Sequence, residues 1–240
     1  MIDVLIPTYA RTRELGEALW CVLNQTIETR AVVLNDCPWQ TLTCGHPRVV
    51  ITNRPCAFAN LGRKRAFTLW LARSPLVMWQ DDDDLCLPWH AERMIGAMRE
   101  GVIAACSPSC WYLDGMKWRH GSGAMEVIAR REDATACGFP ETDTGEDQGF
   151  TGRLRARGPV GVVAGEKSYV YRWNNGTHHV SGSGDPMGGV GFRAEAEERR
   201  ARGREPSGEI EIVPRLMRDY FADHPMRDRL PANWLAGAYL

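Results

Sequence analysis

The chain has 240 residues, which is enough for one large domain with a sizeable core and a modest appendage. Its 29 Lys and Arg residues nearly balance its 30 Asp and Glu residues, so the net charge of -1 gives no global reason to expect a polyanionic partner. We find no secretory leader pattern and no apolar run of membrane-spanning length, and therefore expect a soluble, cytoplasmic protein. The eight cysteines are scattered without a CxxC pair, which indicates reduced thiols.

Strands and helices alternate in the predicted structure of the first half. Apolar runs rich in branched residues predict four buried strands, in residues 2–9, where Pro7 is expected to stop the strand, and in residues 30–36, 48–52 and 75–80. Helical spacing of apolar residues predicts helices in residues 12–26, with Thr12 as N-cap, and in residues 60–74, with Ala66, Leu69 and Trp70 on the apolar face. This order is typical of an α/β fold with a parallel sheet.

Polar residues follow three of these strands. Pro7, Thr8 and Tyr9 end the first strand, Asp36 ends the second, and four consecutive aspartates, residues 81–84, end the fourth. Ligands of open α/β sheets bind beyond the carboxyl ends of the strands, so these residues are expected to converge on one crevice.

Four adjacent carboxylates repel one another at a buried strand end. A helix N-terminus accounts for one or two of them, such as Asp84, because its free amides favour negative charge. The full run indicates a cation among the carboxylates, and a hard, oxygen-seeking ion such as Mg²⁺ or Mn²⁺ fits best.

The second half is less regular. Periodicity predicts helices in residues 88–100 and 146–158, and strands in residues 101–113, 125–132 and 167–173. Residues 174–191 are rich in Gly, Ser, Asn and Asp and read as a mobile loop, and a charged helix with short Pro-broken pieces follows. No internal repeat or linker divides the chain.

Five segments in order resemble the motifs of the family 2 glycosyltransferases, which use nucleotide sugars and have the GT-A fold. They are VLIPTYARTRELGEALWCVLNQT, LND, NLGRKRAF, MWQDDDDLCLP and GFPETDTGEDQGFTGRL, and the resemblance covers roughly residues 2–180. It implies a mixed, mainly parallel sheet flanked by helices. We expect a GT-A catalytic domain in residues 1–190, with the nucleotide-binding half at about 1–90 and the acceptor half at about 91–190. Residues 191–240 would form a C-terminal helical extension packed on it.

The resemblance also implies which residues bind the donor. Pro7, Thr8 and Tyr9 match the first nucleotide-contacting loop, with Arg11 nearby, and Asp36 matches the acid that hydrogen-bonds the base, usually uracil. Asp81 and Asp83 match the DxD motif, with Asp83 the best metal ligand and Asp81 or Asp82 facing the ribose or a bound water. Arg63 and Lys64 would help to neutralise the diphosphate, although exposed helix positions explain them equally well.

The acceptor side has its own implied residues. Glu146 and Asp147 match the family's Glu-Asp pair beneath the acceptor site, with Asp147 as general base and Glu146 as its orienter or alternative. A carboxylate serves as base if it lies within hydrogen-bond reach of the attacking hydroxyl. Many relatives add a late histidine to the metal shell, and His178 and His179 are the two candidates.

The sequence therefore predicts an inverting hexosyl- or pentosyltransferase that depends on Mn²⁺ or Mg²⁺ and takes a nucleotide sugar, with UDP expected. Relatives act on lipids, polysaccharides, proteins and small molecules, and some phage relatives modify 5-hydroxymethylpyrimidines in DNA. Basic stretches at residues 62–65, 152–158 and 198–204 keep DNA open as an alternative acceptor.

Two other functions are less well supported by the sequence. A nucleotidyltransferase lacks support because the loop after the first strand has no glycines, and the Glu-Asp pair argues against a non-catalytic sugar-nucleotide binder. The oligomeric state is not determined.

Overall fold

Buried strands and helices alternate along the first half of the chain, as the sequence predicts. The computed structural model describes residues 1–114, 117–121, 126–173, 190–203, 206–214, 221 and 223–235. The elements of the first part are β1 Ile2–Thr8, α1 Thr12–Leu23, β2 Thr29–Asn35, β3 Leu42–Thr43, β4 Val49–Asn53, α2 Leu61–Leu71, β5 Leu76–Trp79, β6 Leu85–Cys86 and α3 His90–Gly96. Those of the second part are β7 Ala104–Cys106, β8 Cys110–Asp114, β9 Lys117–Gly121, β10 Val127–Arg130, α4 Arg131–Cys137, α5 Glu146–Arg157, β11 Val160–Val162, β12 Tyr169–Trp173, α6 Val190–Ala201, β13 Gly208–Glu209, a 3-10 turn Arg227–Arg229 and α7 Ala232–Leu235.

A seven-stranded sheet in the described residues has the order β11-β7-β10-β5-β1-β2-β4. The β1 strand pairs in parallel with β2 and β5, and β2 pairs in parallel with β4, while β10 runs antiparallel between β5 and β7. A smaller sheet has the order β6-β12-β8-β9. The predicted mixed, mainly parallel sheet is therefore confirmed, and its central strands are buried because helices cover both faces.

The first strand runs further than Pro7. It continues through Pro7 to Thr8, and Thr8 lies opposite Asn35 at the end of β2. The prediction that Pro7 ends the strand is wrong, because the fixed φ of proline is compatible with extended backbone and costs one ladder donor near the strand end. The polar residues after β1 and β2 consequently start level with one another.

The helix α2 turns a different face inward from the one predicted. Trp70 is 72% exposed, whereas Lys64, Arg65, Thr68 and Leu69 are buried. The apolar-face prediction fails for Trp70 because α2 covers the polar strand ends, where buried carboxylates need cationic partners. Trp70 instead packs beside Phe67 on the surface, with ring centroids 5.3 Å apart.

Two further local predictions are corrected. The strand predicted over residues 125–132 ends at Arg130, and α4 follows it directly. Arg11, not Thr12, occupies the N-cap position of α1, without a side-chain cap hydrogen bond. The short strands β6 and β11 have no periodic signal of their own and were not predicted.

The described residues of the C-terminal extension pack on both halves of the domain. Ala196 of α6 is buried beside Tyr9, and Ile210 joins the core beneath β1 and β2. The β13 strand pairs in parallel with β3. Trp234 lies edge-on to Trp20, with ring centroids 4.6 Å apart. The extension thus adds strand pairing and aromatic packing to the expected helices.

Among the described residues no helix is both long and apolar enough to cross a membrane. All eight cysteines are free thiols, as expected, and five of them are buried.

Candidate active site

Residues at the ends of β1 and β2 meet at one buried cation. The ammonium of Lys64 lies 2.7 Å from Asp36 Oδ1 and donates to the carbonyl oxygen of Thr8 at 2.8 Å. The sequence therefore predicted correctly that these strand ends converge. Lys64, on the inward face of α2, is the residue that joins them.

The carboxylate of Asp36 is buried and held from two sides. Its Oδ2 accepts a hydrogen bond from the backbone N–H of Phe58 at 2.8 Å, opposite the ion pair with Lys64. The next residue, Cys37, packs with Tyr9, Ala10 and Ala196 in a small apolar cluster. A fixed acid beside apolar and aromatic side chains is a suitable setting for a nucleotide base.

The loop after β1 is held in an uncommon conformation. Ala10 has a φ of +51°, in the left-handed region that residues with a Cβ rarely adopt. The Thr8 hydroxyl is buried and has no hydrogen-bond partner among the described residues. An unsatisfied hydroxyl at the end of a strand and strained backbone two residues later are features of ligand-binding positions.

Three of the four aspartates are bound by arginines. Arg65 Nη2 donates to Asp81 Oδ1 at 2.8 Å. Arg11 Nη1 donates to Asp82 Oδ1 at 3.1 Å and to Asp83 Oδ2 at 2.7 Å. The sequence predicts a cation among these carboxylates. In this structure the guanidinium groups of Arg11 and Arg65 supply that positive charge.

The fourth aspartate lies deeper. Asp84 Oδ2 accepts from the hydroxyl of Tyr169 at 2.8 Å, and its Oδ1 accepts from the backbone N–H of Arg172 at 2.9 Å. The Arg172 side chain continues inward to the carbonyl oxygen of Asp83 and to the carboxylate of Glu17. Burial raises the pKa of Asp84 well above its usual range, and the charges of Asp83 and Asp81 add to this. The expectation of a helix N-terminus at Asp84 is wrong, because strand β6 follows it directly and both of its hydrogen-bond donors belong to β12.

The electrostatics of Asp83 fit a cation. Burial raises its pKa, Arg11 opposes that shift, and Asp82 and Asp81 reinforce it. Asp82 Oδ2 is buried, and within the part of the chain that the structure describes it has no hydrogen-bond partner. A divalent ion relieves both conditions, and carboxylate oxygens are the ligands that Mg²⁺ and Mn²⁺ prefer.

The described residues supply an incomplete metal shell. Among them, no three His, Cys, Asp or Glu side chains are arranged to hold a metal ion together. His178 and His179, the two predicted imidazole ligands, lie outside the described residues. Within the described part of the chain, Asp81 and Asp83 would therefore be two ligands of a larger shell, and Asp83 already contacts Arg11 through Oδ2.

The predicted Glu-Asp pair begins α5. Gly145, with a φ of +71°, sets the turn into the helix, a conformation that favours glycine. Glu146 is 4% exposed and its Oε1 accepts from Arg65 Nε at 3.0 Å, while Asp147 is partly exposed. Burial raises the pKa of Glu146, and Arg65 opposes the shift. Arg65 holds the buried Glu146 in place, and Asp147 next to it is accessible to solvent. This arrangement suits a general base at Asp147 with Glu146 orienting it.

Arg63 of α2, which was predicted to help neutralise the diphosphate, faces away from the acidic run. Arg63 is exposed and pairs with Glu141 at 2.7 Å, so the structure does not bring it to the carboxylates. Arg65, which was not predicted, lies between Asp81 and Glu146 instead. Polar residues at helical spacing on the inward face of α2 could have identified Arg65. That pattern was missed because an apolar inward face was expected.

Comparison with known proteins shows which family profile the chain matches. The profile of glycosyl transferase family 2 matches residues 3–156, more than half of the chain. No curated protein shows significant sequence similarity to it.

Solved structures of S. aureus TarS share the fold. TarS 1–349 in complex with UDP-GlcNAc superposes with a TM-score of 0.61 at 17% identity, covering 74% of this chain and 60% of that one. TarS 1–349 in complex with UDP gives a TM-score of 0.58 at 16% identity, with 71% and 60% covered. A longer TarS structure gives a TM-score of 0.57 at 17% identity, covering 71% of this chain and 36% of that one. The chain therefore spans about 60% of the shorter TarS structures.

Proposed function

The chain belongs to glycosyl transferase family 2, and from that premise we propose that it is a metal-dependent, inverting glycosyltransferase that takes its sugar from a UDP-sugar. The observation that carries the proposal is that one arginine, Arg65, pairs with an acid of each predicted site. Arg65 contacts Asp81 of the acidic run and Glu146 of the Glu-Asp pair at the same time. These two contacts support a donor site next to a proton-accepting site.

The nucleotide would bind at the ends of β1 and β2. Asp36, fixed by Lys64 and by Phe58 N–H, would accept a hydrogen bond from the base, and Tyr9 would contact the base or ribose. Pro7 and Thr8 place that loop, and the buried Thr8 hydroxyl has hydrogen-bonding capacity in reserve. The UDP and UDP-GlcNAc complexes of TarS, which has the same fold, support the choice of nucleotide.

Asp83 and Asp81 are the residues that would hold Mn²⁺ or Mg²⁺, with Asp82 facing the ribose or a bound water. The ion supplies charge neutralisation for the diphosphate as its bond to the sugar breaks. Arg11, which contacts both Asp82 and Asp83, would supply a second positive charge beside the diphosphate.

Asp147 would act as the base. The acceptor hydroxyl gives its proton to Asp147, its oxygen forms a bond to the anomeric carbon, and the bond from that carbon to the diphosphate oxygen breaks with its electron pair leaving on UDP. Attack opposite the leaving group inverts the anomeric centre. Glu146, held by Arg65, fixes the start of the helix from which Asp147 projects.

The acceptor is proposed as a hydroxyl compound, and the choice among saccharide, small molecule and hydroxymethylated DNA is for experiment. The protein is incubated with Mn²⁺, a panel of UDP-sugars and either small saccharides or duplex DNA that contains 5-hydroxymethylcytosine. Mass spectrometry should show an acceptor heavier by one glycosyl unit, together with released UDP. Asp147→Asn is the matched inactive variant. Absence of both products with every donor, from a protein that binds UDP, would overturn the proposal.

A further inference from the structure

Arg65 is among the most completely enclosed cations in the described residues. It is 3% exposed and lies on the inward face of α2. Its Nε donates to Glu146 Oε1 at 3.0 Å, and its Nη2 donates to Asp81 Oδ1 at 2.8 Å. One rigid guanidinium therefore spans the acid that follows β5 and the acid that begins α5.

The local charges explain why a cation is needed at this point. Burial lowers the pKa of Arg65, but Asp81, Glu146 and Asp147 outweigh burial and raise it, so the guanidinium stays charged. Burial raises the pKa of Glu146, as do the charges of Asp147 and Asp81, and Arg65 is the cation that opposes them. Without Arg65 three carboxylates would face one another with no positive group between them.

The backbone around Arg65 is fixed independently of its side chain. The N–H of Gly62 donates to the carbonyl oxygen of Thr142 at 3.0 Å, and the N–H of Leu61 donates to Asp143 Oδ1 at 3.0 Å. The start of α2 is thus attached to the loop that leads into α5. The side chain of Arg65 adds a contact between carboxylates that this backbone attachment does not provide.

We propose that Arg65 is a positioning residue for the transfer reaction, holding Asp81 on the donor side and Glu146 on the base side at a fixed separation. The inference rests on the proposed function. Arginine suits this role because its planar fork reaches two carboxylates at once, whereas the ammonium of lysine is a single point charge. Loss of the bridge should impair turnover far more than it impairs donor binding, because misplacement by about 1 Å lowers a rate roughly 100-fold.

The test compares Arg65→Lys, Arg65→Met and the charge-balanced double variant R65M/E146Q with wild type. Arg153→Met is the matched control, since Arg153 also ties α5 to its surroundings, through the carbonyl oxygens of Cys137 and Gly138 at 3.2 and 3.1 Å. Release of UDP from UDP-GlcNAc with Mn²⁺, with water as acceptor, gives kcat and KM. Thermal unfolding reports the fold of every variant.

We expect Arg65→Met to lower kcat about 100-fold with KM changed less than about 5-fold, and Arg65→Lys to recover part of kcat. Arg153→Met should keep both parameters. If Arg65→Met folds and loses no more kcat than Arg153→Met, Arg65 is a structural residue and the proposal is overturned. If Arg65→Met does not fold, R65M/E146Q is compared with E146Q alone, and equal kcat values would overturn it.

A second measurement needs no turnover. The carboxyl ¹³C resonance of Glu146 is titrated in wild type, Arg65→Lys and Arg153→Met. Its pKa should rise in Arg65→Lys, because a point charge cannot serve Asp81 and Glu146 together, and should stay in place in Arg153→Met. An unchanged Glu146 pKa in Arg65→Lys contradicts the bridge. If wild type releases no UDP from UDP-GlcNAc with water, the screen of donors and acceptors decides the proposed function, and the titration alone decides the bridge.

Discussion

The guanidinium of Arg11 lies 2.7 Å from the carboxylate of Asp83, with both side chains at least nine-tenths buried. The same nitrogen contacts Asp82 at 3.1 Å. An acid that the sequence marks as a metal ligand is therefore already paired with a cation. Under the proposed function, metal binding at Asp83 would exchange one cation for another.

Arg11→Gln should expose this exchange. Loss of the buried guanidinium leaves Asp82 and Asp83 without their partner, so the free energy of unfolding should fall by about 3–5 kcal/mol. Millimolar Mn²⁺ should raise the melting temperature of this variant more than that of wild type, because the ion replaces the missing charge. Differential scanning calorimetry with and without Mn²⁺ measures both effects. Arg13→Gln, an exposed neighbour, is the control, and equal Mn²⁺ responses in all three proteins would contradict the exchange.

Asp147→Asn should remove turnover and spare binding. The amide cannot accept the acceptor's proton, and loss of a general base typically costs a factor of about 10²–10⁴ in rate. Asp147 is partly exposed, so the fold and the affinity for UDP should stay close to wild type. Steady-state transfer and calorimetric UDP binding test this. Glu132→Gln, in the first turn of α4, is the matched control, and a variant Asp147→Asn with full kcat rules out Asp147 as the base.

Asp83→Asn should weaken the binding of Mn²⁺ at the proposed donor site. It keeps the shape of the side chain but removes a charge that pairs with Arg11 and that would hold the metal. We expect the dependence of UDP-sugar turnover on Mn²⁺ to weaken, with half-saturation at a concentration about 10-fold higher or more. Turnover measured over a range of Mn²⁺ concentrations checks this. The same half-saturation as wild type would remove Asp83 from the set of metal ligands.

Gly62→Ala and Gly152→Ala should have opposite effects. A Cβ at Gly62 would lie 1.7 Å from the carbonyl oxygen of Pro140, so α2 must move and take Lys64 and Arg65 with it. We expect a loss of about 1–3 kcal/mol in unfolding free energy together with reduced turnover. A Cβ at Gly152, inside α5, meets nothing within 4 Å, and alanine there should stabilise the protein by about 0.5–1 kcal/mol. Urea unfolding of both variants is the measurement, and equal midpoints would refute the packing argument.

Glu126 makes stability depend on pH. It is 2% exposed just before β10, and burial raises its pKa to about 8, against opposition from a Ser107 hydrogen bond, Lys167 and Arg93. The folded state thus keeps the proton that the unfolded chain loses above about pH 4.5. The stability this group contributes is complete below that pH and is lost as the pH rises towards 8, at up to about 1.4 kcal/mol per pH unit.

Glu126→Gln removes this titration. The variant should therefore gain stability relative to wild type as the pH rises from 5 to 8. Urea unfolding at several pH values measures the difference, with the exposed Glu100→Gln as control. Parallel pH profiles for wild type and Glu126→Gln would show that Glu126 is not buried in its neutral form.

Much of the fold follows from local pattern. Apolar runs set the four parallel strands, and helical spacing set α1 and α5, because burial on one or both faces imposes a period that the sequence must carry. Family 2 membership was visible in the ordered motifs, and the convergence of Thr8 and Asp36 followed from the rule for strand ends. Strands such as β6 and β11 are too short to show any period, and pairing with distant strands creates them.

The sequence by itself determined the α/β class, the family and the acids at the strand ends, since these depend on residues close together in the chain. The tertiary structure decided which cation serves which acid. Arg11 reaches Asp83 across 72 positions and Arg65 reaches Glu146 across 81, while Arg63, two residues from Arg65, faces solvent. An ion pair between distant segments depends on how those segments pack. No local period records that choice.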